Sequence, residues 1–158
     1  MTKDGEDLRI PPMFSGPPQL LLYTRYGDPR EAGWENKWIT TWNVQQLHPW
    51  FPQKEIRLHK HFRQFLDSAF TALEAAGLHG EIKTCLRGYE VFYLPDSPVL
   101  SVHSWGAAID LNAEENPLGS MGVWSNEFID LMLKNNVFCG QCWTGVKEPM
   151  HFGMVDGE

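Results

Sequence analysis

Two short runs carry the residues in this chain that could do chemistry together. "SVHSWGAAIDLN" holds His103 and Asp110, and "EPMHFGM" holds Glu148 and His151. Imidazoles and carboxylates are costly among small and apolar neighbours unless something pairs with them. Two imidazoles and one carboxylate suit zinc and leave a fourth position open to water, the mark of a catalytic rather than a structural site. Glu148 stands three residues before His151. A carboxylate beside such a water can take its proton, making hydroxide available at neutral pH. Gly106 and Ala107 are small, which would let two strands approach closely around an ion.

Taken singly, each residue has a plainer explanation. A lone histidine is more often hydrogen-bonded in a core or on a surface, and a lone aspartate more often caps a turn. The joint pattern outweighs that. Ser-x-His-x-x-Gly-x-Ala-x-Asp, followed about forty residues later by Glu-Pro-x-His-Phe, has many fixed positions. Two other readings stay open. A two-histidine, one-carboxylate set also holds Fe(II) for oxygen chemistry, though that leaves Glu148 without a task and the spacing is unlike His-x-Asp. A wall-binding or virion component could also keep the fold without catalysis. All four residues are present, which speaks against decay.

These residues resemble a family of zinc peptidases that includes D-alanyl-D-alanine carboxypeptidases and L-alanyl-D-glutamate endopeptidases, several phage endolysins among them. Ser101, His103, Gly106, Ala108 and Asp110 match the first part of the family pattern, and Glu148 and His151 the second. "HSWG", "AIDLN", "NP" at 116–117, Trp143 and "EPMHF" are similar to the endopeptidase-like branch. The resemblance covers about residues 35–155 and is strongest in the second half. It implies that His103, Asp110 and His151 hold Zn2+, and that Glu148 is the general base and then the acid to the leaving amine. It also implies an upstream arginine that polarises the scissile carbonyl or binds a substrate carboxylate. Arg87 is the candidate, although it sits sixteen residues before His103, with "YEVFYLPDSP" as an enlarged loop between them. Ser101 is expected to support His103 by hydrogen bonding, and Trp105 to shape the substrate cleft. The implied substrate is the stem peptide of bacterial peptidoglycan. The endopeptidase is the first choice within the family and the carboxypeptidase the second.

Composition agrees with a folded enzyme. The chain has 158 residues, 42% of them hydrophobic and 21% charged, enough apolar material for a core. The net charge of -7, without a cluster of Lys and Arg, argues against a nucleic-acid partner. The run "LLLY" is too short for a signal-peptide core or a membrane span. The expectation is therefore a monomer made in the cytoplasm, without membrane insertion, that acts at the cell wall after release. Three cysteines form a poor disulfide framework, and Cys139-x-x-Cys142 has no second pair to complete a structural zinc site.

The elements that must position the site read as follows. Residues 1–34 form an irregular arm, within which "QLLLYTRYG" could be a short strand; residues 35–158 form the catalytic domain. Alternation of Trp38, Thr40, Trp42 and Val44 predicts a strand over 37–44. Three- and four-residue steps from Leu58 to Ala76 predict a long helix over 53–76. Short strands follow at 81–87 and in "GAAIDLN", then a helix in "SNEFIDLMLKNN" with Ser125 as N-cap, then strands in "VFCGQCW" and "MHFGMV". "SVHSW" reads as strand-like. His48 and His79 read as solvent-facing, His59 and His61 as residues of the long helix, and the tryptophans mostly as core. Helices and strands mix without a βαβ rhythm, so the expected class is α+β: a small, mostly antiparallel sheet flanked by helices, like the hedgehog and DD-peptidase domains.

Overall fold

The computed structural model describes residues 17–158. The first sixteen, which fall in the expected arm, lie outside the described residues. The fold is α+β, built from helices and two small antiparallel sheets.

α1 (Pro18–Tyr26) occupies the stretch expected as a strand. The physical reason is visible in retrospect. Pro18 sits at the first helical position, where its missing N–H costs nothing. Leu21, Leu22 and Tyr26 then fall on one buried face, and Gly27 stops the helix at φ 82. α1 is tied to the later chain by Gln19, whose side-chain amide donates to the Leu100 carbonyl at 3.1 Å. α2 (Trp34–Trp38) is a single turn that leads into β1 (Ile39–Trp42).

β2 (Ile56–His59) pairs antiparallel with β1, Ile39 opposite His59 and Trp42 opposite Ile56. It takes residues expected as the start of the long helix, which instead begins at Lys60. Ile56 and Leu58 are buried while Arg57 between them is exposed, the alternation of a strand. His59 stays extended and its Nδ1 accepts from the His61 N–H, so it caps α3 (Lys60–Ala75) rather than belonging to it. α3 buries Phe62, Leu66, Ala69, Phe70 and Leu73 along one stripe. His48 is not solvent-facing as expected. It is 3% exposed, and its Nε2 lies 2.6 Å from the Asp67 carboxylate.

The second sheet positions the chemistry. It contains β3 (Cys85–Arg87), β4 (Ala108–Leu111), β5 (Phe138–Gly140) and β6 (Glu148–Gly153) in the order β3-β4-β6-β5, each pair antiparallel. β4 is buried along its whole length. α4 (Asn126–Lys134) packs against α3 and β5 and buries Phe128, Ile129 and Met132. Ser125 caps α4 as expected, its hydroxyl accepting from the Phe128 N–H at 3.2 Å.

The two sheets meet at Gly106. A Cβ there would lie 2.5 Å from the His59 backbone nitrogen, and the residue has φ +65. The His59 N–H donates to the Gly106 carbonyl at 2.9 Å. Gly106 is therefore required by the approach of β2, not by room for an ion.

Candidate metal centre and active site

Sheet register builds most of the site. Arg87 lies opposite Asp110 across β3 and β4, and Asp110 lies opposite His151 across β4 and β6. Directly opposed residues point to the same face of a sheet, with Cβ atoms about 5 Å apart. Three residues distant in sequence thus form one cross-strand row. The Arg87 Nε stands 3.6 Å from Asp110 Oδ2, and His151 Nδ1 stands 4.0 Å from Asp110 Oδ1.

His103 enters from beside the sheet. "SVHSW" is not a strand: Val102–Trp105 form one 3-10 turn, capped by Ser101 and closed by Gly106. The Ser101 hydroxyl accepts from the His103 N–H at 3.1 Å, which supports the residue as expected. His103 Nε2 lies 3.2 Å from Asp110 Oδ1. Its Nδ1 stands 2.9 Å from the Gly88 carbonyl, so Nδ1 carries the proton and Nε2 is left to face Asp110.

The enlarged loop after Arg87 has a task of its own. Besides the Gly88 carbonyl, it sends the Glu90 N–H to the His103 carbonyl and receives the Ser101 N–H at Phe92. The Phe92 ring lies 5.9 Å from the His103 ring, with the Arg87 guanidinium 5.0 Å from the Phe92 ring on its own account. What looked like an insertion between Arg87 and His103 is the strap that holds them both.

Glu148 and His151 are three apart, a spacing that sends side chains to opposite faces of a regular strand. β6 is not regular there. Cys139 pairs with Phe152, but the next residue, Gly140, pairs with Glu148. The register of β5 against β6 shifts between Cys139 and Gly140, which re-aims Glu148. A Cβ on Gly140 would meet the Glu148 carbonyl at 2.1 Å, so only glycine allows this pairing.

His103, Asp110 and His151 each offer one donor atom, and these atoms all lie within 4.8 Å of one another. All three side chains are buried. Donors around one tetrahedral zinc stand about 3.4 Å apart, so small side-chain adjustments bring the trio onto a single ion. Zinc needs deprotonated donors. Burial pushes His151 down to about 3, which keeps it neutral. Burial also works against charge on His103, but the hydrogen bond and charge of Asp110 outweigh it and hold this imidazole above its ordinary value. A cation between the two would replace that proton. The residues fit zinc on donor type, spacing and burial.

Glu148 is half-buried. Burial first, then the charges of Glu158 and Asp110, raise its carboxyl to about 7. A carboxyl tuned there can both take and return a proton near neutral pH. Arg87 is 35% exposed at the mouth of the site, where a substrate could reach it. Beyond it a groove of about 570 Å³ is lined by Gln53, Lys54, Arg57, Tyr89 and Glu90 together with Arg87.

One expectation changes. Trp105 is fully buried, its indole N–H donating to the Gly27 carbonyl and its ring edge-on to Tyr23 at 4.7 Å. It supports the turn below His103 and does not wall the cleft. The ring nearest His151 is Trp143, 5.3 Å away. Glu158 is a residue that sequence reasoning missed. Its carboxylate accepts from the Ser101 hydroxyl at 2.6 Å. No motif pointed to it. Cys85, Cys139 and Cys142 are all free thiols, and no metal-capable group among the described residues includes them.

No curated protein and no solved structure matches the chain. The family model described as D-alanyl-D-alanine carboxypeptidase matches residues 95–154, the segment that contains His103, Asp110, Glu148 and His151. That match supports the family read from the motifs, the zinc peptidases that act on peptidoglycan.

Proposed function

We propose that this chain is a zinc-dependent L-alanyl-D-glutamate endopeptidase that cuts the stem peptide of peptidoglycan. The observation that carries the reading is the convergence of His103, Asp110 and His151 on one point, with Glu148 beside it. The endopeptidase branch is chosen on "HSWG", "AIDLN" and "EPMHF". A D-alanyl-D-alanine carboxypeptidase is the second reading, favoured by the description of the matching family model. An endolysin-like role, with action at the wall after release, follows from the first.

When bound, zinc supplies Lewis acidity and lowers the pKa of the attacking water. The chain's own residues do the rest. Asp110, His103 and His151 hold the ion, and the Gly88 carbonyl fixes the tautomer of His103. Glu148 takes a proton from the water as it attacks the peptide carbonyl, then delivers it to the departing nitrogen. Arg87 presents its guanidinium to the carbonyl oxygen as negative charge develops there. The buried floor formed by β4 and β6 keeps bulk water from these groups.

The test is digestion of purified peptidoglycan followed by mass analysis of the fragments. New N-terminal D-Glu supports the endopeptidase. Released D-Ala supports the carboxypeptidase. Intact muropeptides from zinc-loaded protein contradict both and favour a wall-binding role.

A further inference from the structure

Glu158 follows β6 and belongs to neither sequence motif, yet the fold brings it to the metal centre. The chain before it is held on two sides. Asp156 accepts from the Trp143 indole N–H at 3.1 Å, and Gly157 lies against Pro18, where an added Cβ would be 3.2 Å from the proline ring. Glu158 Oε1 accepts from the Ser101 hydroxyl at 2.6 Å. Glu158 Oε2 is buried and has no hydrogen-bond partner among the described residues. Donor atoms of Glu148, His151 and Glu158 all lie within 4.8 Å of one another.

A buried carboxylate oxygen without a partner is unfavourable, and more so beside the carboxylates of Glu148 and Asp110. Ser101 has one proton to give, and it is already directed at Oε1. A carboxylate oxygen of Glu158 lies within 4.8 Å of a ring nitrogen of His151, the residue shared with the first donor group, so a cation held there would satisfy the free oxygen. We propose that Glu158 is a fourth protein donor, through Oε2, to the cation held by His103, Asp110 and His151. The inference rests on that trio being a metal site.

The experiment measures zinc affinity by competition with a chromophoric chelator, and records the visible absorption of the Co2+-substituted protein. Wild type, Glu158→Gln and Glu158→Ala are compared. Gln keeps an oxygen for Ser101 and loses the charge, so packing at Ser101 is preserved. The expected result is one zinc per chain in all three, bound about tenfold or more weakly in both variants, with a changed Co2+ spectrum. Affinities within about twofold of wild type and an unaltered spectrum would overturn the proposal while leaving the metal trio standing. A wild type that binds no cation overturns the trio and this inference together.

Discussion

Asp110 of β4 stands directly opposite His151 of β6, with Oδ1 and Nδ1 4.0 Å apart, and directly opposite Arg87 of β3 on its other side. Forty-one positions of sequence separate Asp110 from His151. The ladder brings them together, so site geometry is a property of sheet register. A slip of one residue would turn Asp110 to the other face of the sheet and dismantle the site with no ligand residue substituted.

Asp110 is the residue on which the other three depend. It touches His103, His151 and Arg87. Asp110→Asn preserves its size and removes its charge. Zinc retained after gel filtration should fall from about one per chain to a small fraction, measured by elemental analysis. Stoichiometric zinc in the variant would show that the two histidines suffice.

Arg87 is predicted to act on the reacting carbonyl and not on the ion. Arg87→Ala should lower kcat/KM about 10²–10³-fold while zinc content stays unchanged. Arg87→Lys should recover only part of the loss, because an ammonium lacks the planar fork. Loss of zinc from Arg87→Ala would recast the residue as a support for Asp110.

Glu148 gives the metal-free protein a distinctive pH dependence. Its carboxyl rises from an ordinary 4.5 to about 7 on folding, chiefly through burial. Between those values the folded chain binds more protons than the unfolded one. Stability is therefore greatest below the window and falls as pH rises through it. Glu148→Gln removes this contribution. At about pH 8 the metal-free variant should be more stable than wild type by about 1–2 kcal/mol, a figure reduced for the group's partial exposure. Denaturant midpoints at about pH 5 and pH 8 read it directly. Parallel pH trends in the two proteins would contradict it.

Gly106 tests the junction between the sheets. Gly106→Ala places a methyl group 2.5 Å from the His59 nitrogen and strains a φ of +65. The expected cost is more than about 2 kcal/mol, seen as a lowered Tm. A shift within error would mean that β2 can move away freely.

Local chemistry was legible in the sequence, and long-range geometry was not. His103, Asp110, Glu148 and His151 announced themselves because such side chains need a reason to sit in apolar runs. α4 was legible because Ser125 and its apolar stripe are neighbours in the chain. α1 was misread because "LLLY" suits a buried strand as well as a helix, and the deciding signals are Pro18 and Gly27. β2 was absorbed into α3 because Leu58 also fits the helical spacing of Phe62. The bulge at Gly140, the strap at Gly88 and the approach of Glu158 depend on pairings between distant segments. Those pairings leave no local periodicity to detect.

The most direct test of the account is digestion of peptidoglycan by wild type and Glu148→Gln, each assayed for zinc in the same preparation. The account predicts about one zinc per chain in both, cleavage of the stem peptide by wild type, and a rate lowered at least about 10²-fold in the variant. Equal cleavage by the two proteins would remove Glu148 from the mechanism. Wild-type protein that takes up no zinc under any loading condition would contradict the site formed by His103, Asp110 and His151.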